Sequence, residues 1–430
     1  MNAIIRTALF FVLFSLLNFS FGATKNVGGV VGSINKTLSG GTESAPQYTV
    51  CSVAVSGDSV YSGQILNVGS NYITFETSSD ESEGVVNPFI SGVFNQSVST
   101  PILKASLSSD TVGSIYVEYG GSGLSTAPEI IVDYPSDGEE LATATCTLSS
   151  NSINLVNVTY NGQGYDSIPN VTVIAGPHLV KLTESGDTNE GRFFRILDNN
   201  ETGLTIDTSK LASGESLENI LQKDYSIEIV PAPTFGNVLG QLERPSGSIP
   251  PNALPDNFNV SNYGEISGAD FIYVFSGASY DAYCFMRSGG GRPAGWYSPS
   301  MLRFGMANDS ILYPDEGFII AKRTSGDLDI SFEGGAQTTA QKMRLPKSGR
   351  SACMSNPFGA DMLLSEIIPP MLIGSGNNKF NSGSSDTDSD MDVLYLLEGT
   401  NWPQYYHKTG INTGITKVAT ATAKAGTAAG

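Results

Sequence analysis

The sequence predicts a mostly β protein: two or more β-sandwich- or barrel-like modules with a hairpin-repeat insertion. Three observations lead there. Apolar residues make up 40% of the chain and fall in short runs broken by Gly, Asn, Asp, Ser and Pro, the rhythm of strands and turns. Glycine is abundant, at 48 of 430 residues, and charged residues are sparse, at 15%. Two pairs of segments also recur at fixed offsets of 41 and 122 residues. The length accommodates two to three domains, each large enough for its own core.

The N-terminus reads as a secretory signal peptide over 1–22. Arg6 supplies the positive start, Thr7 to Phe19 the apolar stretch, and Ser20 and Gly22 the small residues before a cut at Ala23. No later stretch reaches the ~20 apolar residues of a membrane helix. Export to the periplasm, the cell surface or the medium of a bacterium is the expected localisation. Loss of Arg6 takes the formal charge from −19 to −20, which argues against nucleic acid and anionic lipid as partners. The four cysteines, Cys51, Cys146, Cys284 and Cys353, lie in no CxxC spacing, so a zinc site is not expected. Export permits disulfides. Cys284 with Cys353 is the favoured pair because both fall in one domain; four buried free thiols are the alternative.

After the leader, GQILNVGSNYITFET from Gly63 reads as a hairpin turning at GSN. Then IYVEYGGSGLSTAPEIIV (from Ile115) returns as VNVTYNGQGYDSIPNVTV (from Val156), sharing Tyr119/Tyr160, Gly121/Gly162, Gly123/Gly164 and Pro128/Pro169. The alternation predicts a half-buried strand, the glycines a loop at positive φ, and the proline the start or edge of a second strand. Each copy is therefore expected to be a hairpin that buries its face only against the other. No nucleophile, acid or metal ligand is shared, so the repeat describes a shape. SLENILQKD predicts a helix capped by Ser216, with Glu218 in its first turn. Prolines 245, 250, 251 and 255 mark a linker. Beyond it, DFIYVFSGASYDAYCF (from Asp270) returns as DVLYLLEGTNWPQYYH (from Asp392), each a strand, a turn and an aromatic strand. The first copy continues where the second runs into a tail of small residues. The expected organisation is an N-terminal β domain at 23–240 with the insertion at about 110–176, a linker at 241–268, a C-terminal β domain at 269–416 with the duplicated aromatic unit, and a flexible tail at 417–430.

The succession EGRFFRI, YSIEIVPAPTFGNVLG, ADFIYVF, YPDEGFIIAKR, MSNPFGAD and DVLYLLEG resembles an uncharacterised family of secreted proteins best represented in Verrucomicrobia. It covers roughly residues 48–109 and 178–410. The 41-residue repeats are similar to the Gly-Ser-Gly-Tyr/Pro hairpins of bacterial surface and phage fibre proteins. The resemblance implies architecture and export and carries no function with it.

Chemistry is thinly represented. Triad chemistry needs a histidine, and there are two. His178 opens a strand, and His407 has Phe285 as its repeat counterpart, so neither is expected to be catalytic. GGGRPAG from Gly289 lacks the Lys-Ser/Thr of a phosphate loop and reads as a hairpin loop. In SSDTDSDMD, Asp386, Asp388, Asp390 and Asp392 alternate like the start of a calcium loop, but Met391 and Leu397 stand where the glycine and the glutamate belong. They remain a candidate calcium set, the one cofactor considered. Tyr280, Trp402 and Tyr405 are candidates for stacking on sugar faces. The wider aromatic rows, with Tyr283, Phe285, Trp296, Tyr297 and Tyr406, are more simply core packing. The leading expectation is an exported, non-enzymatic structural or surface-interaction protein. A glycan-binding module is the alternative and a carbohydrate-active enzyme the third reading. Cell-surface components, glycans or copies of itself are the expected partners.

Overall fold

The computed structural model describes residues 31–53, 55–56, 59–75, 90–135, 140–212, 214–241, 253–276, 279–304, 306–336, 353, 373–374, 380–385, 388, 391–396, 402–409 and 414–417. The fold is mostly β, as expected. The described chain divides into two compact units, one drawn from Gly57–Ala232 and the other from Val30–Ser56 with Pro233–Gly430. Its first strands, β1 (Val31–Leu38), β2 (Gln47–Cys51) and β3 (Val55–Ser56), belong to the second unit, although the sequence reading placed them in the N-terminal domain.

The first unit opens with β4 (Tyr61–Val68) and β5 (Tyr72–Phe75), the expected hairpin. The chain then leaves for the insertion and returns as β12 (His178–Leu182), β13 (Phe193–Asn200), β14 (Gly203–Ile206) and β15 (Ser226–Pro231). These six strands close a barrel in the order β12-β13-β14-β5-β4-β15. Ile65, Ile73, Phe75, Val180, Leu182, Phe194, Ile196, Leu204, Ile227 and Ile229 are buried in its core. The helix expected after Ser216 is the single turn α1 (Leu217–Ile220), with the Ser216 side chain accepting from the Asn219 N–H.

The insertion carries β6 (Ile102–Ser108), β7 (Thr111–Tyr119), β8 (Ile130–Val132), β9 (Thr143–Ser149), β10 (Ser152–Tyr160) and β11 (Val171–Val173). Each of the first three has its counterpart 41 residues on. The pairing differs from the sequence reading. β7 pairs with the strand before it, β6, and β10 with β9; the strands flanking the Y-x-G-x-G loop do not pair with each other. The loop instead lies against the segment preceding its own hairpin, through the bridges Ser99↔Ser122 and Glu140↔Gln163. Gly121 and Gly162 adopt φ of 71° and 64°, and a Cβ on Gly121 would lie 2.6 Å from the Ser99 carbonyl oxygen. The two copies then exchange bonds reciprocally. Val112 N–H donates to Asn161 O, and Ile153 N–H to Gly120 O; Leu124 N–H donates to Asn151 O, and Tyr165 N–H to Asp110 O. β8 and β11 pair antiparallel about Ile131–Thr172. This is the self-complementary pattern of a two-fold interface, made within one chain.

The second unit begins with α2 (Phe235–Leu239), capped by Thr234 and Asn237 in a reciprocal box. β16 (Phe271–Ser276), β17 (Ser279–Met286), β18 (Gly295–Tyr297) and β19 (Phe318–Lys322) form, with β2, a five-stranded sheet in the order β18-β17-β16-β19-β2. GGGRPAG is the β17–β18 connection, closed by the Gly289↔Arg292 bridge. β20 (Leu328–Ala336) pairs with β1 and β3. A core of Leu38, Ile272, Phe285, Trp296, Phe318, Ile320, Leu328, Ile330 and Phe332 draws on both sheets. Then come β21 (Ile373–Gly374), β22 (Phe380–Asn381), β23 (Leu394–Tyr395), β24 (Gln404–Lys408) and β25 (Gly414–Lys417). Here the 122-residue offset reappears bond for bond. Ile272↔Tyr283 becomes Leu394↔Tyr405, and Asp270 N–H→Asn259 O becomes Asp392 N–H→Asn381 O. Ser261 N–H→Phe285 O likewise becomes Gly383 N–H→His407 O.

The linker expected at 241–268 is corrected where it is described. Leu254 and Phe258 are buried in the second unit's core, and Phe258 meets Trp296 edge-on at 5.3 Å. The cause is a buried ion pair. Lys322 Nζ and Asp270 Oδ2 are 2.8 Å apart with both side chains fully buried. Lys322 also donates to Asn257 O at 2.7 Å and to Thr324 Oγ1. Asp270 accepts from Asn259 N–H at 3.0 Å and Arg323 N–H at 2.7 Å. These bonds tie 257–270 to the end of β19. The signal peptide and 418–430 lie outside the described residues.

Breaking that pair strands a charge in the core. Asp270→Ala is expected to cost the second unit about 3–5 kcal/mol, read from its urea midpoint, and the paired apolar change Asp270→Leu with Lys322→Met to recover most of that loss.

Candidate functional site

The five-stranded sheet of the second unit places alternate side chains on opposite faces. One face holds Ile272, Phe285, Phe318, Ile320 and Cys51 in the core described above. The other carries Tyr48, Phe271, Tyr273, Ala282, Cys284 and Ala321. The register sets Phe275 opposite Tyr280, Tyr273 opposite Ala282, Phe271 opposite Ala321, and Ala321 opposite Tyr48. The result is an aromatic row across three strands. Phe271 and Tyr273 are 6.0 Å apart, Tyr273 and Tyr280 5.0 Å apart at 89°, and Phe275 and Tyr280 6.4 Å apart. Toward the Tyr280 end the rings emerge, and Tyr280 itself is 56% exposed.

Arg323 closes the opposite end. Its guanidinium lies 4.4 Å from the Phe271 ring centre and donates to Ile266 O and Ala269 O at 3.2 and 3.1 Å. Glu43 is 3.9 Å from Arg323 and accepts from Ser267 Oγ at 3.1 Å. Bonds from Gly268 N–H and Ser267, with Arg323 nearby, hold the Glu43 carboxyl below its usual range. Burial, then the neighbouring Tyr48 and Tyr280 phenols, push the Tyr273 hydroxyl above the ordinary range for tyrosine, so it stays a neutral donor and acceptor at physiological pH. Flat rings with phenol groups at their rims, fixed on a sheet, suit a ligand with both apolar faces and hydroxyls.

Of the three residues singled out for stacking, Tyr280 lies on this face. Tyr405 lies on β24 of the separate β23–β24–β25 sheet and Trp402 two residues before that strand; both are half-buried. The wider aromatic rows are core. Phe285, Trp296 and Tyr297 are fully buried and Tyr406 nearly so, while Trp296 Nε1–H donates to Gly240 O at 2.7 Å. Tyr48, Phe271, Tyr273 and Phe275 were missed as a group. Period-two alternation on β16 was the available signal for the last three; Tyr48 gave none, because it reaches the face only through the β2–β19 pairing.

Asp386 and Asp390 lie outside the described residues. Asp388 accepts from Ser384 N–H at 3.1 Å within its own turn, and Asp392 Oδ2 accepts from Asn381 N–H of β22 at 2.7 Å. Among the described residues, no three His, Cys, Asp or Glu side chains converge as a metal site would require. His407 Nδ1 is 2.9 Å from Ser382 Oγ. His178 is buried against Phe94, with ring centres 4.3 Å apart and Nδ1 3.0 Å from Gly176 O. Its Nε2 has no hydrogen-bond partner. The four thiols are unpaired. Cys284 lies on the aromatic face and not on the core face that holds Cys51.

No family model, curated protein or solved structure matches the chain.

Burial lowers the His178 pKa to about 4, against about 6.5 in the unfolded chain. Below pH 6.5 the unfolded chain takes up a proton that the native barrel refuses until about pH 4. His178's contribution to the first unit's stability is therefore full above pH 6.5 and falls by about 3 kcal/mol as the pH drops toward 4. Urea midpoints across that range should show this slope, and His178→Leu should remove this residue's share of it, whatever it does to the midpoint at pH 7.

Proposed function

We propose that the chain is an exported, non-enzymatic surface-interaction protein that meets its partner through the aromatic face of its second unit. The exposed Tyr280 ring, backed by Tyr273 and Phe275 on a paired sheet, carries this reading. Exposed rings on a rigid element supply contact area at little entropic cost. The buried neutral His178 and the protonated, buried thiols of Cys51, Cys284 and Cys353 fit a scaffold role. Export rests on the leader read at 1–22.

A glycan is the ligand class that the face suits best, because rings stack on the apolar faces of sugars while the Tyr48, Tyr273 and Tyr280 hydroxyls meet theirs. The test is a glycan array with the mature chain from Ala23, with and without calcium. Binding that weakens about tenfold or more in Tyr280→Ala, with the melting curve unchanged, is the expected result. Binding that survives Tyr280→Ala moves the site elsewhere, and calcium-dependent binding assigns the Asp386–Asp392 loop a part. No glycan binding in either condition removes this ligand class. Intact mass of the chain released by a bacterial host, beginning at Ala23, checks export.

A further inference from the structure

We propose that the second aromatic copy holds a second site for the same ligand, a neutral oligosaccharide, built from Tyr395, Trp402 and Gln404. The inference rests on the reading that the Tyr280 face binds glycan, and it makes the chain bivalent.

Strand register places the site. Residues 122 apart hold the same ladder positions. Tyr273 opposite Ala282 returns as Tyr395 opposite Gln404, and Val274 opposite Asp281 returns as the Leu396 N–H→Pro403 O bond at 3.2 Å. One step further along the same ladder, Trp402 takes the position of Tyr280. Trp402 lies two residues before Gln404, so the two share a side of the strand. Gln404 Nε2 donates to the Tyr395 hydroxyl oxygen at 3.2 Å, which puts Tyr395 on that side as well. Tyr405 leaves from the other side, as its counterpart Tyr283 does toward the core holding Phe235 and Trp296. The stacking partner of Trp402 is therefore Tyr395 and not Tyr405, which sequence position had suggested.

The copies share exposure but divide it differently. Tyr395 is 52% exposed, against 56% for Tyr280. In the first copy the exposed ring is on the second strand of the pair; in the second copy it is on the first, and the half-buried Trp402 backs it. The polar atoms at this rim are a phenol and a carboxamide, which both donate and accept without carrying charge. A formal charge of −19 disfavours acidic polymers as partners. Flat rings with neutral donors and acceptors beside them match a neutral sugar. Val393 and Leu397 stand where the first copy has Phe271 and Phe275. The second site thus offers two rings where the first offers a row, and it is expected to be the weaker of the two. Two sites on one chain raise its hold on an immobilised glycan above that of either alone, so loss of either weakens binding to a glycan surface.

The chain has only two tryptophans, which makes the test selective. Trp296 is fully buried, so a change of indole emission on adding sugar reports Trp402. The mature chain is titrated with cellohexaose, chitohexaose and mannohexaose. Expected is a saturable change with at least one of them. It should be absent in Trp402→Phe, keep its Kd in Tyr280→Ala, and weaken about tenfold or more in Tyr395→Ala with the melting curve unchanged. Tyr395→Phe, which keeps the ring, should stay within about threefold of the wild-type Kd. A response that Trp402→Phe retains, a response that Tyr395→Ala leaves at full affinity, or no response to any of the three hexaoses overturns the second site. Calorimetry with the same sugars separates this inference from the Tyr280 reading. Two sites per chain are expected, and one in either Tyr280→Ala or Tyr395→Ala. A single site lost in Tyr280→Ala overturns the second site and keeps the first. A single site lost in Tyr395→Ala upholds the second and removes the first. A dimer that Tyr395→Ala dissociates in sedimentation, with no hexaose bound, gives the face to a second copy of the chain and overturns the proposal.

Discussion

A charged pair excluded from water organises the second unit. Lys322 and Asp270 have no exposed side-chain surface, so every donor and acceptor must be met inside the protein. The three ammonium hydrogens go to Asp270, Asn257 O and Thr324 Oγ1. The carboxylate takes main-chain N–H groups from both sides, Asn259 and Arg323. These bonds hold 257–270 against the end of β19. They also set the direction of the next residue. Arg323 leaves the strand on the opposite side from Lys322 and lies over Phe271, so the buried pair and the aromatic face share one register.

Duplication is the second constraint. In the first unit, the two 41-residue copies make each contact twice with the roles exchanged, so one favourable interface supplies two sets of bonds. In the second unit, the 122-residue copies keep their backbone ladder while the side chains diverge. Asp270 meets a buried lysine; its counterpart Asp392 accepts the Asn381 N–H. Tyr283, half-buried, packs on Phe235 at 4.7 Å, and its counterpart Tyr405, also half-buried, sits on a three-stranded sheet.

Burial also sorts the reactive groups from the displayed ones. His178 and three of the four thiols are enclosed and held in their neutral forms. The polar aromatic rims of Tyr280, Tyr116, Tyr134 and Tyr160 face solvent instead. Enclosed groups answer to pH and redox conditions through stability, and exposed rings answer to whatever touches them.

What was legible in the sequence was local. Alternation and turn glycines gave the β4–β5 hairpin, the single turn after Ser216, the strands of both aromatic copies and the mostly β class, because periodicity and φ preference act within a few residues. Offsets of 41 and 122 were visible for the same reason. Pairing partners were not. The Y-x-G-x-G loop looked like the turn of its own hairpin, but β7 pairs with β6 before it and the loop lies against Ser99. Prolines near 250 looked like a linker, but Lys322 and Asp270 draw the chain after them into a core. β2 and its Tyr48 and Cys51 looked like part of the first domain, and a strand carries no mark of which distant edge it will pair with. The sequence by itself determined the elements, the repeats and the reactive residue types. Tertiary structure decided which face each residue occupies and which residues meet there, because long-range strand pairing is set by burial and hydrogen-bond satisfaction summed over the whole unit and not by any single segment.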